Sequence, residues 1–460
     1  MSYIPTDSLQ REPTVDGMTS AVSASATTAW PPAKRMAVLL VLCAVAAINL
    51  IDRQLITILL EPIKREFSAS DTMMGLLTGL SFALVYVTAA LPVARWSDRG
   101  LRRNIIAASV FIWGTMTMLC GLAHSYLQLA AARMGVALGE AGSNPASHSM
   151  IADLYPLARR GGALGMFNAA ASIGIGFGLF LGGWLNMHFN WRTVFVIAGT
   201  PCLIVALIMR FAIPEPSRGM SESFMTPQRP PPLFDTLTWL AQLRTFRYLA
   251  LSAMTCGFVN YGLQIWAASF FIRVHGMSAK DVGLKLGIAS AVGLFVGTLA
   301  SGTLADGLGR HDIRWYMRVT GAGMLLAMPF GMLALMSPSP NASFGYYCVA
   351  VGFVSSWASP IHAMTQTIAA ARMRGMASAI IGFCLNLVGY GLGPLFVGVL
   401  NDRLRPALGV ESVRYSLMIL FSGCLIAAWT SFSTNRTIAI DITRARTGWS
   451  PTAGRSNSTH

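Results

Sequence analysis

The chain has 460 residues, of which 54% are apolar and only 12% are charged. Soluble domains carry about 25% charged residues, so this composition cannot cover the water-facing surface of a chain this long. The net charge is +15, but the Lys and Arg residues lie in short runs between apolar stretches and form no basic cluster that would bind nucleic acid. The composition therefore predicts an integral membrane protein with no nucleic-acid partner.

A polar tail, residues 1–35, precedes the first of twelve apolar segments long enough to cross a bilayer as helices, at about 20 residues each. A Pro-rich linker, 214–245, divides them into two sets of six, and a second tail follows at 436–460. We expect an N-terminal six-helix bundle over 36–213 and a C-terminal one over 246–435. The predicted spans are 36–60, 72–93, 104–122, 126–152, 162–186, 192–213, 246–272, 283–305, 315–337, 343–369, 375–400 and 412–434.

The distribution of the 34 Lys and Arg residues predicts the orientation of the chain. Most of them lie in the two tails and in the loops that follow even-numbered spans. Short loops rich in Lys and Arg stay in the cytoplasm. We therefore expect a multi-pass protein with both termini and the linker on the cytoplasmic side.

Charged residues inside the predicted spans are the sharpest functional signal in the sequence. A charge at the centre of a membrane helix costs about 2.5–3.5 kcal/mol on insertion scales, so it is expected to be paired. Counting about 1.5 Å per residue along antiparallel helices puts Asp52 at the depth of Arg133. The same count lets Arg53 reach Glu140. The sequence thus predicts two ion pairs between the first and fourth spans, made by Asp52, Arg53, Arg133 and Glu140.

These four residues leave three interpretations open. In the first, protonation of Asp52 or Glu140 releases the arginine partner and shifts the balance between inward-facing and outward-facing states. In the second, the pairs form a fixed network that holds two helices together. In the third, Arg53 or Arg133 binds an anionic substrate, which is compatible with the first. We favour coupling to protons, and we predict no metal and no other cofactor because the His and Cys residues are scattered.

Two motifs recur at matching positions in the two sets of spans. Residues 94–103 read A-R-W-S-D-R-G-L-R-R, and residues 302–310 read G-T-L-A-D-G-L-G-R. Residues 174–183 have the pattern G-x-x-x-G-x-x-x-G-G, and residues 389–398 have G-x-x-x-G-P-x-x-x-G. Internal duplication of this kind is typical of transporters, and the glycines permit close helix packing.

These segments resemble the major facilitator superfamily, whose loop motif G-x-L-a-D-x-x-G-R-[RK] is matched closely at 302–310 and less closely at 94–103. Asn49-Leu-Ile-Asp-Arg53, Arg133-Met-Gly-Val-Ala-Leu-Gly-Glu-Ala141 and Ala152-Asp-Leu-Tyr155 resemble patterns of its spinster-like branch. The resemblance implies an all-α membrane fold of twelve helices in two pseudo-symmetric six-helix bundles. It also implies a transporter, and we expect a bacterial inner-membrane protein that functions as a monomer.

The duplicated loop motif predicts a gate on the cytoplasmic side. An Asp at the same repeat position in both halves can bind helix N-termini or basic groups across the interface between the halves and favour closure there. The arginines can bridge the halves or hold lipid phosphates. The predicted gate residues are Asp98, Arg99, Arg102, Arg103, Asp306 and Arg310.

The second set of spans offers polar residues without acids. Pairs four residues apart put hydrogen-bonding groups on one helix face, which suits an amphiphilic or weakly polar solute. Hydrogen bonding between helices explains the same residues without a substrate. The cavity candidates are Asn260, Gln264, Trp266, His362, Gln366, Asn386 and Tyr390.

The sequence thus favours a secondary active transporter that works by alternating access and is not an enzyme. The expected substrate is a small organic or amphiphilic solute, including lysolipid-like or sphingolipid-like compounds. Export by proton antiport is favoured, because the 174–183 motif resembles that of antiporters, although Leu179 replaces their proline. The alternatives are a proton symporter or uniporter for a small organic anion and, in a different class, a membrane receptor or lipid enzyme.

Overall fold

The computed structural model describes residues 30–218, 220, 233–369 and 373–447, and within these ranges the chain is almost entirely helical. The described ranges contain no strand. Helices satisfy every backbone hydrogen bond internally, which a bilayer requires of a spanning segment. Most of both predicted tails and part of the linker lie outside the described residues.

The first half consists of antiparallel helices joined by short turns. Since α1 begins near the N-terminus, we call that end of the bundle the near end and the opposite end the far end. The helices are α1 (Pro32–Glu66), α2 (Asp71–Gly75, a π-helical turn Leu76–Leu80, then Ser81–Arg99), α3 (Arg102–Gly121), α4 (Tyr126–Glu140, then Ser143–Leu154), α5 (Leu157–His188) and α6 (Trp191–Phe211).

The second half repeats this arrangement. A short helix, Leu233–Gln242, precedes it, and another, Ile438–Thr447, follows it. Two of its long helices also contain a change of helix type. The helices are α7 (Arg244–Arg273), α8 (Ala279–Gly309), α9 (Trp315–Met336), α10 (Pro340–Val354, a 3-10 turn Ser355–Trp357, then Ala358–Ile368), α11 (Arg374–Cys384, a π-helical turn Leu385–Leu392, then Gly393–Leu408) and α12 (Ser412–Thr434).

Five of the six helices that begin at the far end start with a side-chain cap, and α12 does not. A Ser or Asn oxygen accepts a hydrogen bond from the backbone N–H three residues later, which satisfies a donor that the helix itself cannot. The local sequence thus fixes where each of these helices begins. The capping residues are Ser70, Ser125, Asn190, Ser278 and Ser339.

Within the described residues, eight helical stretches are long and apolar enough to cross a membrane. They correspond to nine of the twelve predicted spans, because the last stretch, Arg374–Thr434, contains both 375–400 and 412–434. Three predicted spans, 126–152, 246–272 and 343–369, are not among them. Breaks in helix type interrupt α4 and α10, whereas α7 is one 30-residue helix with a polar middle. These three helices carry seven of the seventeen candidate site residues. Their lower hydropathy fits helices that face a polar interior more than lipid, and twelve crossings stay a prediction.

The two halves come into backbone contact toward the far end. A Cβ added to Gly183 of α5 would lie 2.5 Å from the Ala279 carbonyl oxygen of α8. On the other side, a Cβ at Gly75 of α2 would lie 2.6 Å from the Pro394 carbonyl oxygen of α11. Only glycine permits such close approach. The glycine motifs therefore pack one half against the other as well as packing helices within a half.

Candidate functional site

Both ion pairs that the helical depth predicts between α1 and α4 are formed. Arg133 Nη1 donates to Asp52 Oδ2 at 3.2 Å, and Arg53 Nε donates to Glu140 Oε2 at 2.6 Å. Arg133 and Glu140 are fully buried, and Asp52 is 2% exposed. Pairing offsets the cost of burying these charges, and loss of one partner would leave an uncompensated charge in the core.

The two buried carboxylates differ in how completely their oxygens are bonded. Asp52 Oδ1 accepts a hydrogen bond from Thr117 Oγ1 at 2.9 Å, while its other oxygen accepts from Arg133. Glu140 Oε1, by contrast, is buried without a hydrogen-bond partner among the described residues. A carboxylate oxygen with an unused lone pair can accept a proton where it stands. The geometry therefore suits Glu140 better than Asp52 as a proton acceptor.

Aromatic rings from both halves surround Arg53. Its guanidinium carbon lies 5.0 Å from the ring centre of Phe82 and 5.1 Å from that of Tyr86, both on α2. It lies 5.6 Å from the ring of Tyr390, which belongs to α11. Contacts of this kind stabilise a desolvated cation. Tyr390 thus brings the second half of the molecule to the charged centre of the first.

The charged centre also contains polar atoms that form no hydrogen bond within the described part of the chain. Tyr390 is 5% exposed, and its hydroxyl has no hydrogen-bond partner among the described residues. Arg133 Nε and Nη2 are likewise buried without a partner in the same ranges. Buried polar atoms are usually hydrogen-bonded, so a group of unsatisfied ones indicates a place where a ligand or water binds.

A second charged cluster, absent from the sequence predictions, joins the halves at the far end. Arg273 of α7 donates to Asp71 at 2.6 and 2.9 Å and to Glu61 at 2.8 Å. Lys64 also pairs with Asp71. Asp402 of α11 accepts from the backbone N–H groups of Asp71 at 2.9 Å and Thr72 at 2.7 Å. The far-end cluster, defined as Glu61, Lys64, Asp71, Arg273 and Asp402, thus ties α1 and α2 to α7 and α11.

The far-end cluster could have been suspected from its acids. Lys64 and Arg273 lie in odd-numbered loops, on the side where the positive-inside rule expects few cations. Glu61, Asp71 and Asp402 lie toward the same far end, near the end of α1, at the start of α2 and in the last part of α11. Opposite charges on this less positive side are the signal that sequence reasoning missed.

In this conformation Arg102 and Arg103 of the first loop motif bind near their own helix and the linker, and the predicted gate stays a prediction. Arg102 is fully buried and pairs with Asp153 and, at 2.9 Å, with Glu215 at the start of the linker. The backbone N–H of Arg103 donates to Glu215 Oε2 at 2.8 Å. These contacts fasten the linker to α3, and none of them reaches the helices of the second half. The side chains of the predicted gate residues Asp98 and Arg99 lie outside the described residues.

The second copy of the loop motif is exposed. Asp306 Oδ1 accepts a hydrogen bond from Tyr316 Oη at 2.7 Å, which is a contact within the second half. Arg310, at the end of α8, is also exposed. Next to Asp306, a cavity of about 600 Å³ separates α5 from α8, with Asn168 and Thr298 among its lining residues. In this conformation the halves are therefore apart at the near end and closed at the far end.

The predicted polar pairs of the second half behave in different ways. Gln264 Nε2 donates to Asn260 Oδ1 at 3.4 Å, so this pair shares a helix face as the spacing predicts. Trp266 is fully buried, and its Nε1 donates to the Pro394 carbonyl oxygen at 2.8 Å, which joins α7 to α11. Asn386 Nδ2 donates to the Gly382 carbonyl of its own helix at 2.8 Å. Trp266 thus has a packing contact, and its indole N–H is already used.

The pair on α10 is exposed toward the near end. His362 Nδ1 lies 2.7 Å from the carbonyl oxygen of Ala358 in the same helix. Gln366 Nε2 donates to Ser378 Oγ at 2.7 Å, which joins α10 to α11. Their exposure separates both residues from the buried centre around Arg53 and Tyr390.

Comparisons with known proteins agree with this architecture. A family model described as Major Facilitator Superfamily matches residues 42–394. An MFS-type efflux pump of Mycolicibacterium smegmatis is 33% identical over 392 residues, which is 85% of this chain and 90% of that protein. The cis,cis-muconate transport protein of Acinetobacter baylyi is 27% identical over 369 residues, 78% of this chain and 86% of that one.

A solved structure extends the agreement to three dimensions. It is the crystal structure of a bacterial homologue of the human lysosomal transporter spinster, in an inward-facing and unoccupied conformation. It matches with a TM-score of 0.80 at 30% identity and covers 92% of this chain and 100% of that one. The resemblance drawn from the sequence motifs and the predicted fold class are both confirmed. The chain belongs to the major facilitator superfamily of membrane transporters, which are not enzymes, and within it is similar to spinster proteins.

Proposed function

We propose that this transporter is driven by the proton gradient and exports a small organic or amphiphilic solute by proton antiport. The observation that carries the proposal is the buried Arg53–Glu140 pair, which has an unbonded carboxylate oxygen and a contact to the second half through Tyr390. Such a pair has two charge states, one with Arg53 held and one with Arg53 released. Protonation of Glu140 would convert the first state into the second.

The coupling works through the neighbours of Arg53. A proton on Glu140 removes the negative charge that holds Arg53. The released guanidinium then interacts more strongly with Tyr390 on α11, whose ring belongs to the proposed substrate site. Proton and substrate therefore exclude each other, as antiport requires. Because α2 and α11 pack against each other toward the far end, a change at their shared cation alters the balance between the two states of the transporter. Glu140 is the proposed proton site, and Asp52 with Arg133 is its fixed electrostatic support.

Orientation is part of the same proposal. The positive tails and even-numbered loops favour a topology with both termini in the cytoplasm. The proposed location is the bacterial inner membrane, with the protein acting as a monomer. The near end is then cytoplasmic, and the closed far end makes this conformation inward-facing. The spinster homologue, described as inward-facing, supports that assignment.

The substrate site lies between the charged centre and the second half. The rings of Phe82, Tyr86 and Tyr390 offer apolar surface, and the Tyr390 hydroxyl offers one hydrogen bond. An amphiphile with a small polar head meets both requirements. The efflux pump among the relatives supports export as the direction.

A small organic anion, carried by symport or uniport, is the second candidate. Arg133 Nε and Nη2 are buried without partners among the described residues, and an arginine with free donors binds carboxylates well. The muconate transport protein among the relatives supports this substrate class. In that case the anion competes with the carboxylates of Asp52 and Glu140 for the arginines.

The test starts with a thermal-shift screen of lysophosphatidylcholine, sphingosine and cis,cis-muconate, because a bound substrate stabilises the folded protein. The stabilising compound is then used in proteoliposomes with Glu140→Gln and Asp52→Asn. We expect Glu140→Gln to lose transport driven by a pH gradient while it keeps exchange of labelled for unlabelled substrate. Asp52→Asn should weaken both activities, because it leaves Arg133 buried without its partner.

The matched control is Glu66→Gln. Glu66 is an exposed far-end carboxylate paired with Arg192, so the substitution makes the same chemical change away from the centre. It should leave gradient-driven transport unchanged. Normal gradient-driven transport by Glu140→Gln would contradict the proposed coupling, and loss of exchange as well as drive would show that Glu140 serves structure or binding.

A further inference from the structure

A long apolar groove runs along the outer surface of the second half between α8, α9 and α10. Its volume is about 590 Å³. On α8 the lining extends from Ile288 to Leu308, which is about 30 Å of helix and longer than an extended acyl chain. Val292, Val296 and Leu304 line it and are more than half exposed, so they face the surrounding hydrocarbon. The groove is therefore open to membrane lipid.

The groove is deep because glycines on α8 and α10 have no side chains to fill it. A Cβ at Gly297 would lie 2.1 Å from the carbonyl oxygen of Gly352, so α8 and α10 are in close contact there. A Cβ at Gly352 would meet only the Gly293 carbonyl oxygen, at 3.9 Å. The space beside Gly352 is therefore empty of protein atoms. Small residues alone do not indicate which ligand the groove binds. Two polar groups in the groove give that information.

The first polar group lies inside the groove. Ser356 is 6% exposed, lines the groove, and has an Oγ without a hydrogen-bond partner among the described residues. It lies at the level of Gly323, because a Cβ there would touch the same Oγ. An unsatisfied hydroxyl in an apolar wall can donate to a ligand that carries an acceptor.

The second polar group is an arginine at the near-end mouth. Arg318 lines the groove, and its guanidinium lies 5.1 Å from the ring centre of Trp315. Its ion pair with Asp312 is long, at 3.4 Å, and the side chain is 36% exposed. Tryptophan beside arginine is typical of the membrane interface, where guanidinium groups bind lipid phosphates.

The spacing of the two groups matches a phospholipid. Gly323 follows Arg318 by five residues on α9, so Ser356 lies about 8 Å deeper than the arginine. The ester carbonyls of a phospholipid lie below its phosphate in the same direction. Three arginines against two aspartates in residues 306–318 give the mouth a positive charge. That charge favours a lipid with net negative charge over a zwitterionic one.

We propose that this groove is a binding site for an anionic membrane phospholipid. Its phosphate binds Arg318, an ester carbonyl accepts a hydrogen bond from Ser356 Oγ, and one acyl chain lies along α8 and α10 beside Gly352. The site is separate from the charged centre and does not depend on the coupling mechanism. The occupant is a structural or regulatory lipid and not the transported solute.

The experiment uses the full chain in phosphatidylcholine vesicles that contain a photoactivatable lipid with a diazirine on its acyl chain. The label is carried by phosphatidylglycerol in one sample and by phosphatidylcholine in the other. After illumination, mass spectrometry maps the labelled residues. We expect the phosphatidylglycerol probe to label groove residues of α8 and α10 about fivefold more than the phosphatidylcholine probe, because one arginine near the surface contributes that much to anionic-lipid binding.

Two variants separate the headgroup from the chain. Arg318→Gln should remove the preference for phosphatidylglycerol, and Gly352→Leu should suppress groove labelling by both probes because its side chain fills the empty space. Arg210→Gln is the matched control, since Arg210 lies beside Phe211 at the near end of α6, away from the groove. It should change nothing. Equal labelling by the two probes in the native chain would overturn the proposal. Unlabelled competitors give a second check: the proposal is also overturned if lysophosphatidylcholine reduces groove labelling and phosphatidylglycerol does not.

Discussion

Arg53 is the residue at which charge, aromatic packing and the two halves of the molecule meet. Its partner Glu140 has one bonded and one unbonded oxygen, whereas Asp52 has both oxygens bonded. A proton on Asp52 would displace a hydrogen bond, whereas Glu140 Oε1 can accept one without such a loss. In the proposed coupling, this difference distinguishes the switchable pair from the supporting one.

Tyr390 allows the hydroxyl and the ring to be tested apart. Tyr390→Phe removes a buried hydroxyl that has no partner among the described residues, so the free energy of unfolding should change by less than about 1 kcal/mol. Tyr390→Ala removes a buried ring and its contact with Arg53, and should cost about 3–5 kcal/mol. We further expect Tyr390→Phe to weaken substrate binding about tenfold, equivalent to one lost hydrogen bond. Binding by Tyr390→Phe at native strength would show that the hydroxyl does not contact substrate.

At the scale of single helices, α2 and α11 are the pair that closes the molecule near its charged centre. Each contains a π-helical turn, and these two turns face each other. A Cβ at Gly79 would lie 2.6 Å from the carbonyl oxygen of Gly391. π-turns loosen the regular hydrogen-bond ladder and are frequent at functional sites. The close backbone contact and the irregular turns make this pair a suitable place for the halves to separate and rejoin.

Alanine at Gly79 tests the importance of that contact. Gly79→Ala forces a methyl group against backbone and should destabilise the far-end-closed state by about 1–3 kcal/mol, as overpacking does. The apparent melting temperature in detergent should fall. Gly382→Ala in α11 is the control, because its Cβ would meet no atom within 4 Å. Equal melting temperatures for the two variants would contradict a tight backbone contact at Gly79.

At the scale of the whole molecule, the far-end cluster holds the two halves together while the near end stays apart. Arg273 binds both Asp71 and Glu61, so one residue of the second half joins two helices of the first. Hydrogen bonds to charged groups contribute about 1.5–3 kcal/mol each, which is enough to set the balance between two conformations. The cluster is thus an ion-pair lock on the far side of the substrate path.

Removal of Arg273 should open this lock. In Arg273→Gln we expect amide hydrogen exchange to speed up about tenfold or more at residues 68–75 and 398–405, since at least one charged hydrogen bond is lost. Arg192→Gln is the control, because it breaks a far-end pair with Glu66 that lies within the first half. Exchange in those segments that stays at the native rate in Arg273→Gln would rule out the lock.

The sequence predicted what depends on helical repeat and missed what depends on how the halves meet. Asp52–Arg133 and Arg53–Glu140 followed from the rise per residue, because charges in hydrocarbon have few partners within reach. Asp71 and Arg273, which lie 202 residues apart, meet only after the halves have docked. Spacing also did not predict that Arg102 pairs with Asp153 and with Glu215 of the linker in this conformation. Charges at helix ends have many partners to choose from, so spacing alone does not decide among them.

The most direct test of proton coupling is to count protons released when substrate binds. The measurement is isothermal titration of the purified protein, with the substrate from the thermal-shift screen, in two buffers with different ionisation enthalpies. Antiport through Glu140 predicts proton release in the native chain and in Glu66→Gln, and none in Glu140→Gln. Undiminished release in Glu140→Gln, or none in the native chain, would contradict it.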